Sequence, residues 1–496
     1  MTVGVDKLEK QEPRRYLNQI YDLLPGNWSR LSRATAGFAI VNFGTRAFNF
    51  LLLVPVYSHF LNPEQYGIVS LSEAMAVVVA SIYATSFEAS IQRFYHLHED
   101  PLRRRACINT LIQLGMVIMA FICLLAFTFG PWIISRLLPH LGIPFYPYLA
   151  LAIGTLALNQ IISYRLSLYQ AEQRTRKYLS LSLLLFAATA VCSVTLIVVL
   201  RGGALGMLAG KFLPTAMVAA LASYLLRSWL MPSWDKDTLK TFSKFSLPMA
   251  AYPLIVLGLN IADRLILQHY RTVSEVGIYS LAYGVGMAMS LIALSLYQSW
   301  TPVFYKAARQ GDASKPANAS LVSIALLLKV AFAIVGISIS PLFFSWLIDP
   351  RYRPGAAIVP FIICGYLLRG FTFSFHVPLL AAGRTLATSA SGAVALAVNL
   401  AINFTFIPRY GIYAAAYATF IAYAVELIIV YFVAQRIYPL PYARSKIAVS
   451  LLLLFLILWL SQGPFRGNIP MVAVLAAIAV ICVLHMARGT AASKVG

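Results

Sequence analysis

The chain has 496 residues, of which 60% are hydrophobic and 11% are charged, and its mean hydropathy is +0.76. This composition excludes an ordinary soluble domain and indicates a protein that lies mostly within a membrane. The net charge of +22 would suit a nucleic-acid-binding protein, but no polar stretch is long enough to form a basic groove, so nucleic acid is excluded as a partner.

Residues 1–33 are polar and basic and lack the apolar core of a signal peptide, so we predict a cytoplasmic tail. Fourteen apolar runs of membrane-spanning character follow. The first is at residues 34–60, and the last two, at 447–460 and 472–485, are the shortest. These runs predict an all-α polytopic membrane protein with about 14 transmembrane helices.

A segment near the end of the first span occurs a second time in altered form. Residues 58–71 read SHFLNPEQYGIVSL and residues 268–281 read QHYRTVSEVGIYSL, a displacement of 210 positions. The same displacement relates Arg174 to Arg384, and one of 208 relates residues 201–203 to 409–411. Such a repeat predicts a duplicated half, as in many transporters. Because the displacement spans six helices, an even number, we predict two parallel six-helix repeats plus two C-terminal helices.

The repeat divides the chain into five parts. We predict a cytoplasmic N-terminal tail (1–33), an N-terminal six-helix bundle (34–228), a cytoplasmic linker (229–246), a C-terminal six-helix bundle (247–436) and two additional transmembrane helices with a short tail (437–496). With both termini in the cytoplasm, 26 of the 39 Lys and Arg residues fall in cytoplasmic segments, 7 in outside loops and 6 in spans. This bias follows the positive-inside rule. We therefore expect a multi-pass protein of the cytoplasmic (inner) membrane.

Several kinds of chemistry are excluded by the sequence. The five cysteines are scattered through the spans and form no CxxC pair, so neither a metal nor another cofactor is expected. Residues 206–212 superficially suggest a phosphate loop, but Phe212 stands where Ser or Thr must bind magnesium. The predicted outside loops are too short to build a catalytic site. We therefore predict that the chain is not an enzyme.

Charged residues inside the spans are candidate functional residues, because a charge at the bilayer centre costs roughly 2.5–3.5 kcal/mol. The first and seventh spans stand in equivalent places of the two halves, and each carries a polar stripe at helical spacing. Both stripes can line a central cavity. The candidate substrate-binding residues are Arg46, Asn42, Asn49, Asn260, Asp263, Arg264, Lys329 and Arg369, and the candidates for ion coupling are Asp263 and Glu88.

A structural role is the alternative for each candidate. Asp263 could pair with a neighbouring cation, and the asparagines could hold helices together. Lys329 and Arg369 have no polar stripe around them and could equally be paired charges. A stripe formed by Tyr279, Tyr283 and Tyr297 is interpreted as helix packing and is left outside the site.

The charge balance within the spans indicates the chemistry of the ligand. The predicted spans contain six basic and four acidic side chains. A surplus of cations in a low-dielectric cavity attracts an anion such as a diphosphate. Arginine suits this ligand because its guanidinium is permanently charged and binds phosphate with two parallel hydrogen bonds. Asparagine and glutamine suit sugar hydroxyls.

Several sequence pieces, in a consistent order, resemble a known family. They are LNPEQYG at 61–67, RFY at 93–95, DRLIL at 263–267, GIYSLA at 277–282, WTP at 300–302, and Asn399 with Asn403 before IPRYGI at 407–412. The chain resembles polysaccharide transporters of the multidrug/oligosaccharidyl-lipid/polysaccharide flippase superfamily, the Wzx-like O-antigen and exopolysaccharide flippases.

This resemblance implies two six-helix bundles around a central cavity. It implies alternating access that moves an undecaprenyl-diphosphate-linked oligosaccharide from the cytoplasmic to the outer leaflet for surface polysaccharide biosynthesis. Cationic cavity residues serve the diphosphate in such flippases, and Arg46 and Arg264 match them best. The expected partners are the polyprenyl-diphosphate-linked glycan and membrane lipids, with a polysaccharide polymerase and a chain-length regulator as further candidates.

Three alternative functions stay open. A lipid II flippase would carry the same diphosphate, and a cation-coupled multidrug exporter shares the superfamily but expects a site dominated by carboxylates. A membrane glycosyltransferase or ligase would need a catalytic loop, which the short outside loops disfavour.

Overall fold

The computed structural model describes residues 44–45, 48–84, 87–97, 100–137, 142–230, 234–235, 237–240, 242, 251–308, 315–382, 384–462 and 469–492. Within these ranges every regular element is a helix and no strand occurs. The predicted all-α class is confirmed.

The helices of the N-terminal half are, within the described ranges, α1 (Val54–Phe60), α2 (Pro63–Ala84), α3 (Phe87–Leu97), α4 (Pro101–Leu137), α5 (Ala150–Ala171), α6 (Thr175–Val194) and α7 (Gly203–Leu226). Short π-helical segments precede α1 and α5 and extend α6; they are Asn49–Leu53, Phe145–Leu149 and Thr195–Val199.

The second half has the same order in its described residues, except that one helix, α9, stands where the first half has α2 and α3. Its helices are α8 (Ala251–Tyr270), α9 (Val273–Ala308), α10 (Lys315–Trp346), α11 (Val359–Ala381), α12 (Thr385–Tyr410) and α13 (Ile412–Ile437). A 3-10 helix, Pro350–Ile358, leads into α11. The two appended helices, α14 (Arg444–Gln462) and α15 (Ile469–Ala492), pack against α10.

In the described part of the chain, twelve helices are long and apolar enough to cross a membrane. They coincide with twelve of the fourteen predicted spans and include the two short C-terminal ones. The two remaining predictions are the first span, of which only part is described, and α8. This helix has 20 residues and is not among the twelve. The structure thus supports twelve of the fourteen predicted transmembrane helices.

The repeated segment begins a helix in the same way in both halves. At the start of α2, Gln65 N–H donates to Asn62 Oδ1 (2.8 Å) and Asn62 N–H donates to Gln65 Oε1 (3.2 Å). This is a capping box, in which two backbone donors at the helix start find side-chain acceptors. At the start of α9, Glu275 N–H donates to Thr272 Oγ1 (3.2 Å). The capping positions are 210 residues apart, so the repeat preserves a helix start with different residues.

The other two repeated places also have matching local structure. Arg174 precedes α6 and donates its N–H to Tyr169 O (2.8 Å), and Arg384 precedes α12 and donates to Leu379 O (2.9 Å). Gly203 and Gly411, related by 208 positions, have φ values of 57° and 54°. Glycine adopts this left-handed conformation without steric cost. All three repeated places therefore fold alike.

The two copies of the repeat contact each other where α2 packs against α9. A Cβ atom on Gly67 would lie 2.1 Å from Val273 O, and one on Gly277 would lie 1.8 Å from Pro63 O. The two contacts are equivalent, because Gly277 is the counterpart of Gly67 and Val273 is the counterpart of Pro63, each 210 positions later in the chain. Ser70 Oγ donates to Ser280 Oγ at 2.6 Å, so this equivalent pair meets its own counterpart. The halves are thus related by a pseudo-two-fold axis that passes close to these residues.

More contacts join the halves at the end of the bundle that we predict to face outward. Tyr352 OH donates to Leu61 O (3.0 Å), Asp349 N–H to Ser58 Oγ (3.2 Å) and Arg351 Nη2 to His59 O (3.1 Å). The Arg351 side chain, which donates to Asp349 Oδ1 at 2.8 Å, lowers the pKa of that carboxyl. Because the pKa of Asp349 is lowered in the folded state, its interaction with Arg351 stabilises the folded protein at pH values above the ordinary Asp pKa of about 3.9. That stabilisation is lost as the pH falls below this value and the carboxylate is protonated.

Adding a methyl group at position 277 tests the close approach of the two repeats. Alanine normally stabilises a helix by roughly 1 kcal/mol relative to glycine. In Gly277→Ala the new Cβ would overlap the Pro63 backbone, and we expect an overpacking penalty of roughly 1–3 kcal/mol. We expect a lower thermal unfolding temperature of the purified protein in detergent.

The matched control is Gly284→Ala on the same helix, where a new Cβ would meet nothing within 4 Å. It should unfold at the wild-type temperature or higher. Equal stability of the two variants would contradict the close approach.

Candidate functional site

The polar stripe of the seventh span lies on α8, which packs against α2, α9 and α12. The Asp263 side chain is fully buried. It accepts hydrogen bonds from the Tyr279 hydroxyl and from the Arg264 backbone N–H (2.8 Å), and its Oδ1 lies 4.0 Å from Arg264 Nη1. A buried carboxylate is strongly destabilising unless such partners offset its charge. Asp263 thus anchors α8 to α9 and holds Arg264 beside it.

Arg264 lies beside the pseudo-two-fold axis. Its Nε donates to Ser280 Oγ at 3.2 Å, and Nη1 donates to the Asn260 carbonyl oxygen. Its guanidinium lies 4.5 Å from the centre of the Tyr283 ring, at a distance where a cation–π interaction is favourable. The side chain is 14% exposed, and among the described residues no hydrogen bond engages Nη2. The guanidinium therefore keeps donors for a ligand.

Four tyrosines surround this arginine and its neighbours on α8. Tyr283 and Tyr366 share a hydrogen bond between their hydroxyls (2.8 Å), and Tyr366 and Tyr423 direct theirs to Asn260 Oδ1 (3.5 and 3.4 Å). The sequence interpretation left Tyr279 and Tyr283 outside the site, although their spacing of one helical turn was a signal. Tyr297, the third member of that stripe, packs on Phe373 instead.

Lys329 and Arg369 lie apart from this cluster. Lys329 is completely buried, and its Nζ donates to Gly370 O (2.7 Å) and Ser374 Oγ (2.8 Å) on α11. Arg369 Nη1 lies 3.1 Å from Glu426 Oε2, with both side chains buried. In this conformation the two cations connect α11 to α10 and to α13. Their predicted role in substrate binding stays a prediction.

The remaining candidates are spread over the N-terminal half. Asn42 and Arg46 lie outside the described residues. Asn49 lines a cavity between α1, α5, α6 and α7. Glu88, a candidate for ion coupling, lies in the first turn of α3 and is exposed.

Two further basic residues within the predicted spans, Lys211 and Arg165, are paired with carboxylates. Lys211 Nζ forms a salt bridge with Glu73 Oε1, and Arg165 Nη1 lies 3.8 Å from Glu172 Oε1. Lys329, in contrast, donates only to uncharged acceptors. Among the described cations of the spans, some are therefore neutralised by a carboxylate and Lys329 is not. Among the described residues, no group of three or more His, Cys, Asp or Glu side chains is placed to hold a metal ion.

Comparison with known proteins identifies the family. The family model described as "Polysaccharide biosynthesis protein" matches residues 33–308, more than half of the chain. The chain belongs to this family. No curated protein matches it in sequence.

Solved structures with the same fold include transporters of several kinds. The chain is similar to the lipid II flippase MurJ in an inward closed conformation, with a TM-score of 0.69 and 13% identity over 90% of this chain and 98% of that one. It is similar to an inward-facing MATE family multidrug resistance transporter of the MOP superfamily (TM-score 0.59, 14% identity, 83% and 98% covered). It also matches a mutant form of the Vibrio cholerae MATE transporter VcmN (TM-score 0.53, 13% identity, 82% and 97% covered).

These similarities establish the fold and the membrane class. This member of the polysaccharide biosynthesis family is a multi-pass membrane protein with the fold of MurJ and MATE transporters. The resemblance drawn from short sequence pieces is confirmed. At 13–14% identity these structures carry no information about the substrate.

Removing one partner of the Arg369–Glu426 pair tests whether it has a structural role. Glu426→Gln would leave the Arg369 guanidinium buried without its carboxylate, and breaking such a pair typically costs about 3–5 kcal/mol. We expect a marked loss of thermal stability in detergent. The double variant Arg369→Met with Glu426→Leu should recover most of that loss, because it removes both charges.

The control is Glu64→Gln, which changes an exposed carboxylate in the first turn of α2. It should leave the unfolding temperature nearly unchanged. If Glu426→Gln were as stable as this control, the pair would not hold α11 to α13.

Proposed function

We propose that the protein is a flippase that moves an undecaprenyl-diphosphate-linked oligosaccharide across the cytoplasmic membrane for surface polysaccharide (O-antigen or exopolysaccharide) biosynthesis. Both termini lie in the cytoplasm, and transport runs by alternating access from the inner to the outer leaflet. The observation that carries the proposal is the position of Arg264. A guanidinium with free donors lies beside the axis that relates the two halves.

The chemistry of this position suits a diphosphate. Hydrogen bonds to charged groups contribute more than neutral ones, and arginine matches the geometry of phosphate oxygens. Asp263 offsets part of the positive charge and orients the guanidinium. The hydroxyls of the surrounding tyrosines hydrogen-bond to Asp263, to Asn260 and to one another, so they hold the neighbours of Arg264 in place.

The contacts between the repeats suit alternating access. The two halves meet through glycines, serines and loop residues at the predicted outer end. Such contacts are individually weak, so they can break when the halves rock and open the cavity outward. Ser280 contacts both Ser70 and Arg264. A ligand that binds the guanidinium would therefore also change the contact between the halves.

Lipid II transport is the second candidate, because lipid II carries the same diphosphate, which would suit the Arg264 guanidinium equally well. The family to which the chain belongs favours a polysaccharide precursor. Expression in cells depleted of their lipid II flippase separates the two. Restored growth would favour lipid II, and failure to restore growth at normal protein level would favour the polysaccharide precursor.

Deleting the gene should abolish the surface polysaccharide and leave its lipid-linked repeat units in the inner leaflet. The measurement is surface glycan analysis together with extraction of lipid-linked precursors. Unaltered glycan and precursors in the deletion strain would refute the proposed function.

Substitution of Arg264 tests the site itself. A hydrogen bond to a charged group contributes roughly 1.5–3 kcal/mol, so Arg264→Ala should lower the transport rate at least tenfold. Arg264→Lys should retain part of the activity, since it keeps the charge but loses the planar pair of donors. The measurement is surface glycan produced at matched protein levels.

Arg176→Ala, at an exposed position near the start of α6, is the control and should transport normally. Full activity of Arg264→Ala would show that Arg264 does not bind the substrate. It would not refute the flippase function, which the deletion experiment tests separately.

A further inference from the structure

The N-terminal half contains a cavity, lined by both polar and apolar side chains, that the proposed diphosphate site does not use. It has a volume of about 240 Å³ and lies between α1 with its preceding π-helical segment, α5, α6 and α7. Sites for drug-sized ligands run to roughly 300–1,000 Å³, so this cavity has room for a small ring rather than a chain of several. The polar residues lining it include Asn49, Tyr57, Thr155, Asn159, Lys211 and Thr215.

The side chains of the lining offer both acceptors and donors. The hydroxyls of Thr155 and Thr215 donate to Leu151 O and Lys211 O on their own helices, both at 2.7 Å. Their oxygen lone pairs are therefore available to accept hydrogen bonds. The carboxamides of Asn49 and Asn159 each carry donors and an acceptor, and within the described part of the chain neither forms a side-chain hydrogen bond.

Asn159 is half-buried and Asn49 is exposed. A partly buried carboxamide without a protein partner is unfavourable unless water or a ligand satisfies it. A ring bearing several hydroxyl groups is a suitable ligand, because each hydroxyl both donates and accepts. Leu53 and Phe186, which also line the cavity, provide an apolar wall for the face of such a ring.

The charge at the cavity favours an uncharged ligand over a second phosphate. Among the described residues that line the cavity, Lys211 is the cationic one, and its Nζ is paired with Glu73 Oε1. The two side chains are 29% and 43% exposed. An ion pair of this kind is close to neutral as a whole, yet its exposed atoms still bind polar groups.

This cavity is connected to the proposed diphosphate site through α2. Glu73 lies one helical turn after Ser70, so the two residues are neighbours on the helix surface. Ser70 contacts Ser280, which accepts a hydrogen bond from Arg264. The Lys211–Glu73 pair thus lies one helical turn along α2 from the contact between Ser70 and Ser280, to which Arg264 also donates.

We propose that this cavity is a subsite for one uncharged sugar ring of the transported lipid-linked glycan. The inference rests on the proposed function and adds a determinant of substrate specificity in the N-terminal half. The diphosphate then binds on α8 in one half while the sugar binds in the other, and the substrate bridges both halves.

The experiment compares binding of four lipids to the purified full-length protein in detergent. The probes are bare undecaprenyl diphosphate and undecaprenyl diphosphate bearing one N-acetylglucosamine, galactose or glucose. We expect at least one of the sugar-bearing lipids to bind the wild type about tenfold more tightly than the bare lipid. In Asn159→Ala this preference should disappear while affinity for the bare lipid is kept.

A second variant guards against misfolding. Thr215→Val keeps the shape of the side chain and removes the hydroxyl, and it should reduce the preference severalfold. Thr405→Val is its matched control, since the Thr405 hydroxyl makes the same bond to its own helix (2.8 Å to Ala401 O) on an exposed surface of α12. The control should bind all four lipids as the wild type does.

The outcomes separate the subsite from the proposed function. Equal wild-type affinity for all four lipids would overturn the subsite and leave the diphosphate site standing, provided that Arg264→Ala weakens them all. A sugar preference kept in folded Asn159→Ala and Thr215→Val would also overturn the subsite. A wild type that binds none of the four lipids would overturn both proposals.

Discussion

The close approach of the two repeats at Gly67 and Gly277 is the contact on which the rest of the molecule depends. Backbone atoms of one half lie where a side chain of the other would begin. In a bilayer, helices associate through such small-residue contacts because lipid is as apolar as the helices themselves. The approach brings Ser70 to Ser280, and Ser280 in turn holds Arg264. A steric constraint at the axis therefore positions the charge that we assign to the substrate.

The same scaffold carries different chemistry in its two halves. Glu73 and Tyr283 stand 210 residues apart at equivalent positions. Glu73 pairs with Lys211 beside the cavity of the N-terminal half, whereas the ring of Tyr283 lies against Arg264. The N-terminal half thus presents a neutralised ion pair, and the C-terminal half presents a guanidinium with donors to spare. This difference is what a ligand with an anionic end and an uncharged end requires.

Much of the fold was predictable because the signals for it are local. Apolar runs indicate the spans, and the repeated segment indicates that the two halves fold alike. The repeat showed that Gly67 and Gly277 are equivalent, but it could not show that they touch. That contact depends on which faces of α2 and α9 turn toward each other, and no local pattern determines it.

The candidate site was predictable only in part. The stripe on α8 was visible because its polar residues follow one helical period. Tyr366 and Tyr423 were not found, since their relation to Asn260 depends on how α11 and α13 rotate about their axes. Lys211 and Glu73 were both visible as charges within spans, yet they are separated by 138 positions in the chain. Their pairing follows from the packing of α2 against α7.

The exchange of contacts about the pseudo-two-fold axis also has the form of an isologous dimer interface. Position 63 of one half meets 277 of the other, and 67 meets 273, as equivalent patches do in a symmetric homodimer. If two identical six-helix chains met in this way, any substitution at the surface would appear on both sides of the contact at once. In a single chain that holds both copies, one side can change alone. Each half can therefore differ in its cavity while the shared surface is kept.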